Sequence, residues 1–158
     1  IKHEMIKIKK KKKNEADAVI DLFNKYRLFY KQPSDIELAK HFISERLNNN
    51  DSVVFVAFDE NNDKNIPVGF AQLFPKYSSV RAVKNWILND LYIEAGYRKQ
   101  GIGTNLIQTA IDFAKSTNSQ FVQLSTQASN YTAQRLYEVM GFTIAEPETD
   151  FYTYRISV

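Results

Sequence analysis

The sequence predicts an α/β fold of the mixed α+β kind, one central sheet flanked by helices. Three observations carry that prediction. Strand-length apolar segments recur along the 158 residues, segments of 3.6-residue periodicity lie between them, and a Gly-x-Gly turn at Gly101-Ile102-Gly103 joins a strand to a helix. Hydrophobic residues make up 44% and charged residues 25%, enough for a packed core and too apolar for a disordered chain. The length suits one domain, so residues 1–158 are expected to fold as a unit, with Ile1–Glu4 standing ahead of Met5, the expected natural start.

The elements follow in order. Met5-Ile6-Lys7-Ile8 alternates as a short strand. From Asn14, the residues Val19, Phe23, Tyr26 and Tyr30 share one face of a helix. Ser34 and Glu37 have capping-box spacing, which predicts a second helix to about Leu47 with Leu38, Phe42 and Ile43 inward. Ser52–Phe58 reads as a buried strand, and the polar stretch Asp59–Asn65 as the long turn of an antiparallel hairpin whose second strand is Pro67–Phe74. Lys76–Lys84 reads as loop, Trp86–Ile93 as a strand, and the run opening at Thr104 as a helix with Leu106, Ile107, Ala110, Ile111 and Ala114 inward. Phe121–Ser125 is expected as a strand, Tyr131–Met140 as a helix stopped by Gly141, and Phe142–Ala145 and Phe151–Ile156 as two closing strands.

Composition excludes several classes of function. With no cysteine there are no disulfides, thiol nucleophiles or cysteine–zinc sites. No apolar run approaches membrane-spanning length, so no membrane partner and a cytoplasmic setting are expected. Residues 1–13 hold seven lysines and one glutamate, leaving 14 Lys/Arg against 17 Asp/Glu in the rest, so the basic excess is the run Lys9–Lys13 on a mildly acidic body. That run reads as a solvated strand end or arm rather than a nucleic-acid surface. His3 and His41 lack metal-ligand spacing, no metal is expected, and no Gly-x-Ser-x-Gly supports a serine hydrolase.

Arg98-Lys99-Gln100-Gly101-Ile102-Gly103 sits between the strand end Leu91-Tyr92-Ile93 and a helix, so free N–H groups and the helix dipole make an anion site suited to phosphate. It is not a dinucleotide fingerprint, because Leu106 stands where the third glycine would be, and not a Walker A loop, because no lysine separates Gly103 from Thr104.

The turn resembles the pyrophosphate motif Arg/Gln-x-x-Gly-x-Gly/Ala of the GNAT superfamily, the acetyl-CoA-dependent N-acetyltransferases. A second signature of that family, Asn130-x-x-Ala133-x-x-x-Tyr137 followed by Gly141-Phe142, stands at the expected separation, and the element order matches from Met5 to Val158. The resemblance implies a mostly antiparallel mixed sheet splayed between its fourth and fifth strands. It implies acetyl-CoA as cosubstrate, its pyrophosphate held by backbone amides of Lys99–Thr104 and its pantetheine arm along the exposed edge at Leu91, Tyr92 and Ile93. Asn130 either bonds that arm, caps its helix, or does both. Relatives often dimerise, which extends the expectation of a homodimer to this chain.

Acetylation of an amine needs no covalent enzyme intermediate. A group must take the ammonium proton, another must meet the oxyanion, and a third must protonate the departing thiolate. Tyr137 lies two helical turns from Asn130 on the same face, and by resemblance this is where the family commonly places its general acid. Asp90 is the carboxylate within the strand before the turn; it is the candidate base, acting directly or through water, or else it orients the ammonium. Members with polyamine-like substrates carry acids around this point, and Asn89 here departs from that pattern. A backbone N–H near Tyr92 or Ile93 would meet the oxyanion. The segment Tyr26-Arg27-Leu28-Phe29-Tyr30 holds more aromatics than one buried face needs, so Tyr26, Phe29 and Tyr30, with Asn89, are candidates to line an amine pocket. The expected acceptor is a primary amine of a small molecule, polyamine-like or an amino acid. A protein lysine or N-terminus, or a non-catalytic CoA-binding sensor, are the alternatives.

Overall fold

The structure is a computed structural model and describes residues 5–145 and 150–158; Ile1–Glu4, His3 among them, lie outside the described residues. The chain divides into two compact units, one ending at Leu124 and one running from Ser125 to Val158.

The first unit is a five-stranded sheet in the order β1-β2-β3-β4-β5, formed by β1 (Ile6–Lys10), β2 (Val53–Asp59), β3 (Ile66–Ser78), β4 (Val83–Ile93) and β5 (Val122–Gln123). The first four strands are antiparallel neighbours, and β5 joins β4 in parallel. Helices α1 (Asp17–Phe29) and α2 (Ile36–Asn48) cover one face, and α3 (Ile102–Ser116) covers the other. Because both faces are covered, every residue of β2 is buried and it reads as a continuous apolar run rather than an alternation. Val54, Val56, Phe58 and Phe70 pack against Val19, Leu22, Phe23, Ala39 and Ile43 of the two helices. On the opposite face Phe55 and Trp86 meet the Phe113 ring of α3 at 5.7 and 5.2 Å.

Several boundaries differ from those the sequence suggests. The cap of α2 is Asp35, whose carboxylate accepts the Leu38 N–H at 3.0 Å; Ser34 instead accepts from the Asn24 amide. With the helix starting at Ile36, its inward stripe is Ala39, Ile43 and Leu47, and Leu38 is exposed. Residues 76–84 are mostly strand: the ladder runs on from Pro75↔Trp86 to Ser78↔Val83, and only 79–82 turn. The lysine run is part of the fold, with Lys9 paired to Glu60 at 3.3 Å and Lys10 and Lys11 over the Phe113 and Phe58 rings.

One expectation gains a structural basis at β5. Its ladder with β4 consists of Trp86↔Val122 and Ile87↔Gln123, so from Leu88 onward β4 runs without β5 beside it. Asn85, buried, pins the start of the divergence by accepting the N–H groups of Gln120 and Phe121.

In the second unit, α4 (Tyr131–Val139) begins at Asn130, which caps it by accepting the Ala133 N–H at 3.1 Å. Gly141 ends it with φ 103°. The Phe142 N–H bonds the Tyr137 carbonyl at 2.9 Å and the Gly141 N–H bonds the Glu138 carbonyl at 3.0 Å, a Schellman motif. The Phe142 ring consequently lies against the Tyr137 ring, 6.0 Å between centroids. The expected closing strands at 142–145 and 151–156 are not strands, and Val122–Gln123 is all that forms of the expected 121–125. A period-two pattern makes a strand only where a neighbouring chain satisfies its backbone groups, and among the described residues no ladder reaches these segments.

Candidate active site

The end of β4 is shaped by one irregularity. Gln72 of β3 faces Asp90, yet Leu73 faces Leu88, so Asn89 is an extra residue in β4, a β-bulge. Before it, Trp86 points to the α3 face; after it, Asp90 and Tyr92 point to the α1 face, where Tyr26 and Phe70 lie. A one-residue insertion reverses strand parity, and that is what turns Asp90 toward α1.

Asp90 is 3% exposed. Its Oδ2 accepts from Gln72 Nε2 at 2.5 Å and its Oδ1 from Asn89 Nδ2 at 2.7 Å, and the Tyr26 hydroxyl stands near enough to act on its charge. Burial pushes the Asp90 carboxyl above its ordinary value, against the pull of Asn89, Gln72 and the nearby Tyr26 hydroxyl. The same hydroxyl donates to the Asn89 carbonyl at 3.3 Å. Burial first, and then the Asp90 charge, push the Tyr26 phenol well up, so it stays protonated. Phe29 and Tyr30 extend outward from it, 62% and 56% exposed.

A second cluster fixes the last residues of β4 to α1. Lys25 Nζ bonds Glu94 at 2.7 Å and Asp21 at 3.1 Å, and these hydrogen bonds, Glu94 first, raise the lysine to about 12. The Tyr92 hydroxyl donates to Glu94 at 3.1 Å, and its phenol is raised by burial and then by that bond. Arg98 donates from Nε to the Ile93 carbonyl at 2.9 Å, its guanidinium over the Phe29 and Tyr92 rings.

The turn after β4 brings Lys99, Gln100 and Gly101 to the start of α3, with Lys99 at φ 61° and Gly101 at φ 84°. Gly101 is the N-cap, and no side chain caps the helix. The first intrahelical bond is Asn105 N–H to the Gly101 carbonyl, so the N–H groups of Ile102, Gly103 and Thr104 are the orphan donors of the first turn. At Gly103 an added β-carbon would meet only Ile93 Cγ1, at 3.9 Å. These amides, without a partner among the described residues, the open space over Gly103 and the stretch of β4 beyond Ile87 fit a phosphate-bearing arm laid along the strand.

Of the residues the sequence singles out, Tyr26, Phe29, Tyr30, Asn89, Asp90, Tyr92 and Arg98 gather around the end of β4, with Leu91 and Ile93 beside them and Lys99–Thr104 following. Asn130 and Tyr137 share α4 in the second unit. Sequence reasoning missed Gln72 and Ser52. Their signal was a polar residue within each of two apolar strand segments.

The family model described as acetyltransferase (GNAT) family matches residues 16–142. The uncharacterized N-acetyltransferase YhfO of Bacillus subtilis is 38% identical over 151 residues, covering 96% of this chain and 97% of that protein. A crystal structure of a probable acetyltransferase superposes with a TM-score of 0.81 at 32% identity, over 96% of this chain and 97% of the other. The aminoglycoside N-acetyltransferase AAC(6')-Iy in complex with CoA superposes at 0.73 with 16% identity over 96% and 95%, a likeness of fold alone.

Proposed function

The chain belongs to the acetyltransferase (GNAT) family and is an acyltransferase, and on that premise we propose that it transfers the acetyl group of acetyl-CoA to a primary amine of a small molecule, polyamine-like or an amino acid. The observation that carries the acceptor class is the buried Asp90 carboxylate, surrounded by neutral donors and fronted by Tyr26, Phe29 and Tyr30. A fixed negative charge behind aromatic faces favours a cationic amine. The CoA-bound aminoglycoside acetyltransferase of the same fold supports both the carrier and a small-molecule acceptor.

Acetyl-CoA, when bound, supplies an activated thioester carbonyl. The main chain of Lys99–Thr104 holds the pyrophosphate, with Arg98, Gln100 and Thr104 around it, and the edge of Leu91, Tyr92 and Ile93 takes the pantetheine amides. Asn130 spends its carbonyl on the α4 cap and keeps its amide N–H groups for that arm. Asp90 takes the ammonium proton, directly or through a water, behind the Tyr26 ring. The amine is left neutral and Asp90 protonated. A backbone N–H at Tyr92 or Ile93 faces the developing oxyanion, and the Tyr137 hydroxyl gives its proton to the leaving sulfur and recovers one from the nitrogen of the new amide. Asn89 contributes the carbonyl that holds the Tyr26 hydroxyl in place. Residues 1–158 act as one catalytic domain in this reading, cytoplasmic and homodimeric.

The test is thiol release from acetyl-CoA with spermidine, lysine, sisomicin and peptides with free N-termini, products identified by mass spectrometry. Turnover with the small amines is expected. Turnover with peptides alone would establish the second reading, a peptide acceptor, which the exposure of Phe29 and Tyr30 favours. CoA binding with no acetylated product would make the chain a sensor.

A further inference from the structure

Behind Asp90 lies a polar chain that nothing in the acetyl-transfer scheme accounts for. Gln72 is fully buried in β3, and Ser52, also buried, donates from Oγ to Gln72 Oε1 at 2.8 Å. Both belong to otherwise apolar stretches beside Val53 and Leu73, where a leucine or methionine would avoid burying an amide. Burying these groups costs free energy unless each is bonded, and here each bond has a direction.

A glutamine amide has a donor end and an acceptor end. Because an ionised carboxylate can only accept, Nε2 must face Asp90 Oδ2, and Oε1 is left to accept the Ser52 hydroxyl. On the other carboxylate oxygen, Asn89 presents its own Nδ2. Donors thus converge on Asp90 from β3 and from β4, with the Tyr26 hydroxyl of α1 nearby. Donors of this kind favour the ionised carboxylate. We propose that Gln72, its far end held by the Ser52 hydroxyl, is a positioning residue that keeps Asp90 fixed and ionised, ready to take a proton from the acceptor amine. The inference rests on Asp90 serving as the proton sink in the reading above.

The groups that act on Asp90 are Gln72 on β3, Asn89 on β4 and Tyr26 on α1, with Tyr30 of α1 acting on Tyr26 in turn. Removing one neutral donor leaves burial less opposed, so the carboxyl should hold its proton to higher pH. The experiment is a carbon-13 NMR titration of protein labelled at aspartate carboxyl carbons, with the Asp90 signal assigned by its loss in Asp90→Asn. In Gln72→Met, which keeps the side-chain length, the Asp90 midpoint should move up by about one pH unit, a tenfold change in proton affinity. Ser52→Ala removes the bond that holds Gln72 Oε1 and loosens the side chain; it should move the midpoint the same way by less, and it is mild enough to fold should Gln72→Met fail to do so. An unmoved or lowered midpoint in the variants that fold overturns the inference. The base assignment is tested separately: full turnover of Asp90→Asn with the amine panel would remove it, whatever the titration shows.

Discussion

At Gly103 the fold itself asks for no glycine: a β-carbon there would touch a single atom at ordinary contact distance, and the backbone is helical. The vacancy of side chain makes sense on the outer side, where a diphosphate would approach the amides of Ile102–Thr104. Gly103→Glu should therefore leave the melting temperature nearly unchanged while abolishing CoA binding in calorimetry, since it sets both bulk and negative charge against the phosphates. Tyr137→Phe removes one hydroxyl and keeps the ring that packs on Phe142. If that hydroxyl protonates the leaving sulfur, kcat should fall by about 10²-fold or more with CoA affinity intact; undiminished turnover would reassign the acid. The residues themselves were readable in the sequence, because a Gly-x-Gly between strand and helix and a tyrosine seven positions past an asparagine are local patterns. What was not readable was Asp90's surroundings. A carboxylate in a strand looks the same whether it meets solvent or, as here, Gln72 from a strand eighteen residues earlier.

At the level of elements, the Schellman motif that closes α4 gives the Gly141-Phe142 pair a physical role: it stops the helix and folds the Phe142 ring back onto Tyr137. Gly141→Ala forces an L side chain into left-handed backbone at a cost of about 1–2 kcal/mol. It should fray the last turn and broaden the Tyr137 ring resonances, measurable by NMR without any substrate. The helices were legible because their periodicity is strong. Their starts were not, since Ser34 and Asp35 both have cap chemistry and only the tertiary bond of Asn24 to Ser34 decides between them. The bulge at Asn89 was equally invisible. Nothing in Leu88-Asn89-Asp90 announces an extra residue, yet it decides which face of the sheet receives the carboxylate.

Across the whole of the first unit, the sheet is a septum between two apolar layers, and Phe70 is where one of them meets the site. Its ring is fully buried and lies 6.3 Å from Phe23 and 5.8 Å from Tyr26, both edge-on. Phe70→Ala should cost about 3–5 kcal/mol by chemical denaturation, and it should also loosen Tyr26, so that activity falls at temperatures where the chain is still folded. The fold class was legible because the order of strands and helices is itself the argument. The terminal strands were overread: an alternating pattern records which residues could line a sheet, and the pairing is a separate requirement.

The departure of β5 after Ile87 leaves the last six residues of β4 without a strand on that side among the described residues. If a carrier with two amides in its arm pairs there, as proposed, it is a missing piece of secondary structure supplied from solution, and folding and ligation become linked equilibria. The melting temperature should climb with CoA concentration for that reason alone, before any acetyl group has moved.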